Sequence, residues 1–182
     1  MTHEDRGRRF TALYDAHLPL VLGYALRRTD PTTAQDVVAE VFLVAWRRLE
    51  HVPDDAAPWL VAVARNQLAG ARRVEARQLA LRDRARALDP ADEPPPAIRD
   101  DVDPVLMRAL RRLPDTDREL LCLLAWEGLD RASTARALGV SRPVLRLRLL
   151  RARRRLSAEL ERLESEESAA LSEARARTEG AA

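Results

Sequence analysis

Residues 89 to 104 read DPADEPPPAIRDDVDP, and no single hydrophobic core can be built across them. The span holds five prolines and six acidic residues, with almost nothing to bury. Proline withholds the amide hydrogen that a helix or an inner strand needs, and closely spaced acids repel, so an extended linker is expected. At about 3.3 Å per residue it reaches on the order of 50 Å. The flanking parts then fold separately, as two small domains able to engage two separated sites on one partner. A chain of 182 residues with 46% hydrophobic content supplies enough apolar side chains for both. The expected division is residues 1–88, the linker 89–104, residues 105–163, and a tail, 164–182, rich in Ala, Glu and Ser.

Beyond the linker, Val105, Leu106, Ala109, Leu110 and Leu113 keep the rhythm of a helix that Pro114 ends. Thr116 followed by Glu119 has the form of a capping box, and Leu120 to Trp126 builds the centre of a core before Gly128 stops the helix. From Asp130 to Leu156 a short helix, a glycine turn and an arginine-loaded helix follow one another, which is the order of a helix-turn-helix. Ala135 suits a close helix crossing, Gly139 supplies the turn, Ser141 can cap the next helix, and Pro143 is tolerated in its first turn.

Between Arg142 and Arg155 stand seven arginines and no acid, so a polyanion is the expected partner. Leu145, Leu149, Ala152, Leu156, Leu160 and Leu163 share the stripe that must face the core. Arg146, Leu147, Leu150, Arg151 and Arg154 then point the other way. A solvated arginine-rich helix closing a bundle would explain the charge run alone. The turn, the cap and the preceding short helix favour DNA, with Ser141, Arg142, Arg146, Leu147, Arg148, Leu150, Arg151 and Arg154 as the candidate contacts. Leu147 and Leu150 admit three readings: ordinary exposed leucines, contacts to thymine methyl groups, or a patch for another helix.

The net charge of +2 is a nearly cancelled sum of 31 basic residues, all arginine, and 29 acids. Its distribution is uneven: residues 105–163 hold fourteen arginines against seven acids, whereas 1–73 hold ten against nine. The single cysteine, Cys122, lies in the apolar run LLCLLAW and is expected to be a buried core residue, which leaves no disulfide framework. His3, His17 and His51 are scattered, with no metal-ligand spacing and no glycine-rich phosphate loop, so neither an active site nor a cofactor is expected. No apolar stretch approaches the length of a membrane span, and MTHEDRGRR is followed by no signal core. A cytoplasmic protein without membrane insertion is expected.

The first domain also reads as helical, which makes the fold class all-α. Phe10, Leu13, Tyr14, His17, Val21, Tyr24 and Ala25 outline a first helix, which Pro19 should kink or divide. Thr33 with Asp36 resembles the start of a second, whose apolar face is Val37, Val38, Val41, Phe42, Ala45, Trp46 and Leu49. Asp36 and Glu40 are neighbours on its polar side, where they serve acid-base chemistry, a metal, or only solvation. After a loop from His51 to Ala57, Pro58 opens a third helix with Leu60, Ala64, Leu68 and Ala71 inward and Arg65, Asn66, Arg72 and Arg73 elsewhere. Arginine and asparagine beside a loop and a tryptophan suit nucleic acid, although Trp46 and Trp59 fall on the core stripes.

The succession AQDVVAEVFLVAWRRL, PWLVAVARNQLAGARR, a proline-rich acidic linker and LRRLPDTDRELLCLLAWEGLDRASTARALGVS resembles a bacterial sigma factor of the extracytoplasmic-function group. These are the minimal members of the sigma-70 family, with regions 2 and 4 only. The resemblance covers about residues 10 to 73 and 105 to 160. It implies that Asp36 and Glu40 contact core RNA polymerase and that His51 through Arg73 captures the promoter −10 element. The helix from Arg142 onward would read the −35 element. Departures from the pattern are Ala39 for a usual glutamine, Gly70 for an aspartate, and Arg131, Ser133 and Thr134 for tyrosine, glutamate and isoleucine. Leu147 and Leu150 replace a small polar residue and often histidine. The tail, 164–182, could extend the last helix or fold back on the arginines; in the resting state it, or an anti-sigma factor, is expected to cover the DNA face. The runner-up is a helix-turn-helix regulator whose first domain dimerises or senses; an enzyme acting through Asp36 and Glu40 comes third.

Overall fold

Thr2 and Asp5 start the first helix as a reciprocal cap: the Asp5 amide donates to the Thr2 hydroxyl, and the Thr2 amide donates to the Asp5 carboxylate, both at 3.2 Å. The computed structural model describes residues 2–83 and 103–179, and over them the chain forms seven α-helices, one short 3-10 turn and no strand. The first helix, α1, runs over His3–Leu26 and is not divided at Pro19. Pro19 is exposed, while Val21, Tyr24 and Ala25 beyond it are buried. Burial of that last part of the helix offsets the roughly 3 kcal/mol that an interior proline costs.

Helix α2, Pro31–Arg47, begins two residues before Thr33. Asp30 is the cap, accepting from the amides of Thr32 and Thr33 at 2.9 and 3.0 Å, and Pro31 fills the first position, where no amide hydrogen is needed. The Thr33 side chain and amide hold the Asp30 carboxyl below its ordinary value. A 3-10 turn, Leu49–His51, leads to a loop whose Val52 and Ala56 are buried, and then to α3, Ala57–Asp83. Helices α1, α2 and α3 pack pairwise around Val21, Tyr24, Val41, Leu49, Leu60 and Val61. Phe10 meets Trp46 edge to face at 5.1 Å between centroids, and Tyr14 lies 4.6 Å from Phe42. Leu60, Ala64 and Leu68 face inward as expected, but Ala71 is exposed, as are Ala69, Arg72 and Arg73 around it.

Asp103 caps α4, Pro104–Arg112, by accepting from the Val105 amide at 2.8 Å. Helix α5, Asp115–Ala125, follows directly from Pro114, so Thr116 falls inside its first turn and the Thr116–Glu119 capping box does not form. Asp115 and Asp117 place negative charge at that helix start instead. The two turn glycines, Gly128 and Gly139, take positive φ values of 64° and 65°, which only glycine adopts without strain. Helix α6 is Arg131–Leu138 and α7 is Arg142–Glu179.

The chain forms two compact units, one from the described residues of Met1–Ile98 with Ala132–Gly139, the other from those of Arg99–Arg131 with Val140–Ala182. In the first, Arg136 pairs with the Asp55 carboxylate. In the second, α7 packs on α4 and α5, and Leu145, Leu149, Ala152 and Leu163 are buried with Cys122, Leu120 and Leu123. As far as Glu179, the last described residue, the tail does not fold back on the arginines of α7. It prolongs that helix, and its acids engage α4: Arg112 donates to both carboxylate oxygens of Glu166 at 3.2 and 3.1 Å, and Arg108 lies 3.9 Å from Glu167. Most of the expected linker, residues 89–102, lies outside the described residues.

Candidate nucleic-acid interface

One side of α7 is committed to the core, and this fixes what the other side can offer. Leu145, Leu149 and Ala152 are buried, with Leu156 half-buried in the same stripe. Opposite them stand Leu147 and Arg154, flanked by Leu150 and Pro143 on one edge and by Arg151 and Val144 on the other, a division that follows from about 100° of turn per residue. Arg142, Arg146, Arg148, Arg151, Arg153 and Arg154 are all exposed. No acid falls between Arg142 and Arg155. Arg155 is spent on structure: its guanidinium pairs with the Asp117 carboxylate, whose side chain is only 11% exposed. The helix therefore presents a cationic face suited to a phosphate backbone.

Three large apolar side chains interrupt that face. Val144 is 42% exposed, and Leu147 and Leu150 are each 48% exposed. At spacing i, i+3, i+6 they form one oblique ridge. Leu147 and Leu150 stand where the sequence placed them. Val144 lies on the same outer face by periodicity and joins the ridge through its exposure.

In the first unit, Arg65, Asn66, Arg72 and Arg73 are all exposed on α3. Arg65 and Arg72, seven residues apart, share one side of the helix, and Asn66 and Arg73 share the adjacent one. The last two arginines are tied to carbonyls of their own unit, Arg72 to Arg28 at 3.4 Å and Arg73 to Ala69 at 2.9 Å. The end of α2 and the loop after it are pinned from α1, where Arg6 donates to the Trp46 carbonyl at 2.6 Å and Arg9 to the Val52 carbonyl at 3.1 Å. The sequence carried no signal for either contact, since each spans about forty residues. Trp46 and Trp59 are half-buried, and the Arg6 guanidinium stacks over Trp46 at 4.9 Å.

On α2, Asp36 and Glu40 are exposed one turn apart, and Leu43, 38% exposed, continues the same side. Together they form an acidic pair with an apolar neighbour on the polar side of α2. No group of three or more His, Cys, Asp or Glu among the described residues could hold a metal ion. No described helix is long and apolar enough to cross a membrane.

Comparison with known proteins finds two sigma-family regions in this chain. Residues 13–78 match the model of Sigma-70 region 2, and residues 105–156 match that of Sigma-70, region 4. The ECF RNA polymerase sigma factor SigL of Mycobacterium tuberculosis is 35% identical over 161 residues, spanning 84% of this chain and 89% of the relative. BldN of Streptomyces coelicolor, also an ECF RNA polymerase sigma factor, is 30% identical over 157 residues, 81% of this chain and 59% of that protein. Among solved structures, the sigma factor RpoE of Bartonella quintana, crystallised with the anti-sigma factor NepR, superposes with a TM-score of 0.63 at 22% identity. That match covers 84% of this chain and 96% of that one, and shows the shared fold.

Proposed function

The chain belongs to the sigma-70 family, in its extracytoplasmic-function group, and is an RNA polymerase sigma factor; from that premise we propose how its residues divide the work. Residues 1–88 form the region that docks on core polymerase and takes the −10 element, 89–104 tether it, and 105–163 form the region that takes the −35 element. Asp36 and Glu40, with Leu43 beside them, contact the polymerase core. Arg65, Asn66, Arg72 and Arg73 hold the −10 DNA, phosphates by charge and unpaired bases by hydrogen bonds. On α7, Ser141, Arg142, Arg146, Leu147, Arg148, Leu150, Arg151 and Arg154 meet the −35 duplex.

The protein catalyses no reaction itself. It works in the cytoplasm, where binding energy at the two promoter sites positions the polymerase and favours strand opening. An anti-sigma factor holds it inactive, a reading supported by relatives of the same fold, RpoE with NepR and CnrH with the cytosolic domain of CnrY. The single observation behind the assignment is the order of two sigma-type blocks, the second carrying an arginine face free of acid.

In transcription assays with purified core polymerase and a pool of genomic promoters, specific transcripts should depend on this chain. Charge reversal at Asp36 and Glu40 should weaken core association at least tenfold, on the order of the 1.4 kcal/mol or more that charged interface contacts carry. Absence of any core binding by the wild-type chain would overturn the assignment.

A further inference from the structure

The apolar ridge on α7 is about half exposed and stands on the face that the arginines reserve for a polyanion. We infer that Val144, Leu147 and Leu150 read thymine methyl groups in the major groove, making this sigma factor selective for a thymine-containing −35 element. This rests on the assignment of α7 to −35 recognition and adds what that helix prefers.

The duplex is chosen as occupant on grounds of charge and geometry. The ridge lies in the first half of α7, and that half of a recognition helix meets base edges in helix-turn-helix proteins. Val144 and Leu150 are six residues apart, about 9 Å along the axis at about 1.5 Å per residue. That length spans two to three base pairs at about 3.4 Å each. Exposed arginines lie on both sides of the ridge, at Arg146 and Arg153 and at Arg148 and Arg151, where phosphates border the groove. A protein helix seated on the same ridge would have to neutralise this charge with acids of its own.

The chemistry of the bases narrows the choice further. In the major groove only thymine presents an apolar group, its C5 methyl, while the other three bases present hydrogen-bond donors and acceptors. Leucine and valine offer neither donor nor acceptor. Placed against guanine or adenine edges they would strip water from polar atoms and return nothing, a cost that selects against those bases. Placed against thymine they bury a methyl, worth about fourfold in affinity for each group removed from water.

The test uses holoenzyme assembled from core polymerase and the full chain. A promoter fragment whose −35 region is randomised is selected for binding, and the enriched sequence is then resynthesised with deoxyuridine for every thymidine in that window. Uracil differs from thymine by the methyl alone. The enriched window should contain thymine at adjacent or next-adjacent positions, the uracil duplex should bind about fourfold more weakly for each methyl contacted, and Leu147→Ala should narrow the difference between the two duplexes by about fourfold. Leu147 and Leu150 are exposed, so loss of folding does not confound the variants. Equal binding of the two duplexes by the wild type overturns the inference and leaves the ridge as a protein-docking patch or plain surface. An enriched sequence without thymine overturns it equally, as does a Leu147→Ala variant that discriminates as strongly as the wild type. Failure of the holoenzyme to form would instead remove the function on which the inference rests, and that outcome is seen before any DNA is added.

Discussion

Arg151 and Arg155 are four residues apart on one helix and are set to different tasks by what stands beside them. Arg151 faces solvent on the exposed side of α7, whereas Arg155 closes on the nearly buried carboxylate of Asp117. If Arg151 contacts a base, Arg151→Ala should cost about 1–3 kcal/mol in promoter binding and relax the preference at one position. Arg155→Ala should leave sequence preference intact and destabilise the second unit by about 1–3 kcal/mol, because Asp117 loses its partner. Promoter-binding titrations and thermal unfolding, run on both variants, separate the two roles. The periodicity of α7 placed both arginines outside the core stripe but did not distinguish them. Asp117 lies 38 residues upstream, and a pairing over that distance leaves no local signature. Leu43 and Val144 are apolar side chains on polar faces, Leu43 beside Asp36 and Glu40 and Val144 on the flank opposite the core stripe of α7, and they stand out only once their exposure is seen.

At the scale of the helix, local rules held where the local choice had no rival. Gly128 and Gly139 sit at positive φ, as their places after helices require. The two misplaced starts show competition: Asp30 followed by Pro31 is a stronger start than Thr33, and Pro114 carries the chain into α5 before Thr116 can cap it. Pro19 shows tertiary burial overriding a local penalty. Gly70 is the remaining anomaly, a helical glycine in α3 where an added Cβ would meet nothing within 4 Å. No close approach demands it, so Gly70→Ala should stabilise the first unit by about 1 kcal/mol through its lower backbone entropy in the unfolded chain. Denaturant unfolding monitored by circular dichroism checks this. A loss of stability would mean that the position is constrained in a way the backbone geometry does not display.

At the scale of the whole molecule, two helical regions on either side of a linker are legible because a run of prolines and acids offers almost nothing to bury, but not the grouping of Ala132–Gly139 with the first unit, and the tail is left a choice between extending the last helix and folding back. Composition made residues 164–182 a plausible cover for the arginines, since acids and arginines attract wherever the chain allows. The helix decides otherwise: continuing α7 beyond Leu163 carries Glu166 and Glu167 to Arg112 and Arg108 of α4. Deleting 164–182 should therefore leave promoter affinity of the isolated chain nearly unchanged and lower the melting temperature of the second unit. A clear gain in affinity would restore self-masking. The pH dependence provides an independent check. Arg112 holds the Glu166 carboxyl below its ordinary value of 4.5. A carboxyl whose folded value is depressed stabilises the fold above its unfolded value and loses that contribution as the pH falls through the folded one. The difference in melting temperature between full-length and truncated chains should thus be constant near neutrality and shrink below about pH 4.5. It should also shrink with added salt, because both partners are more than a third exposed. A difference that persisted in acid and high salt would place the tail's contribution in apolar packing along α7 instead.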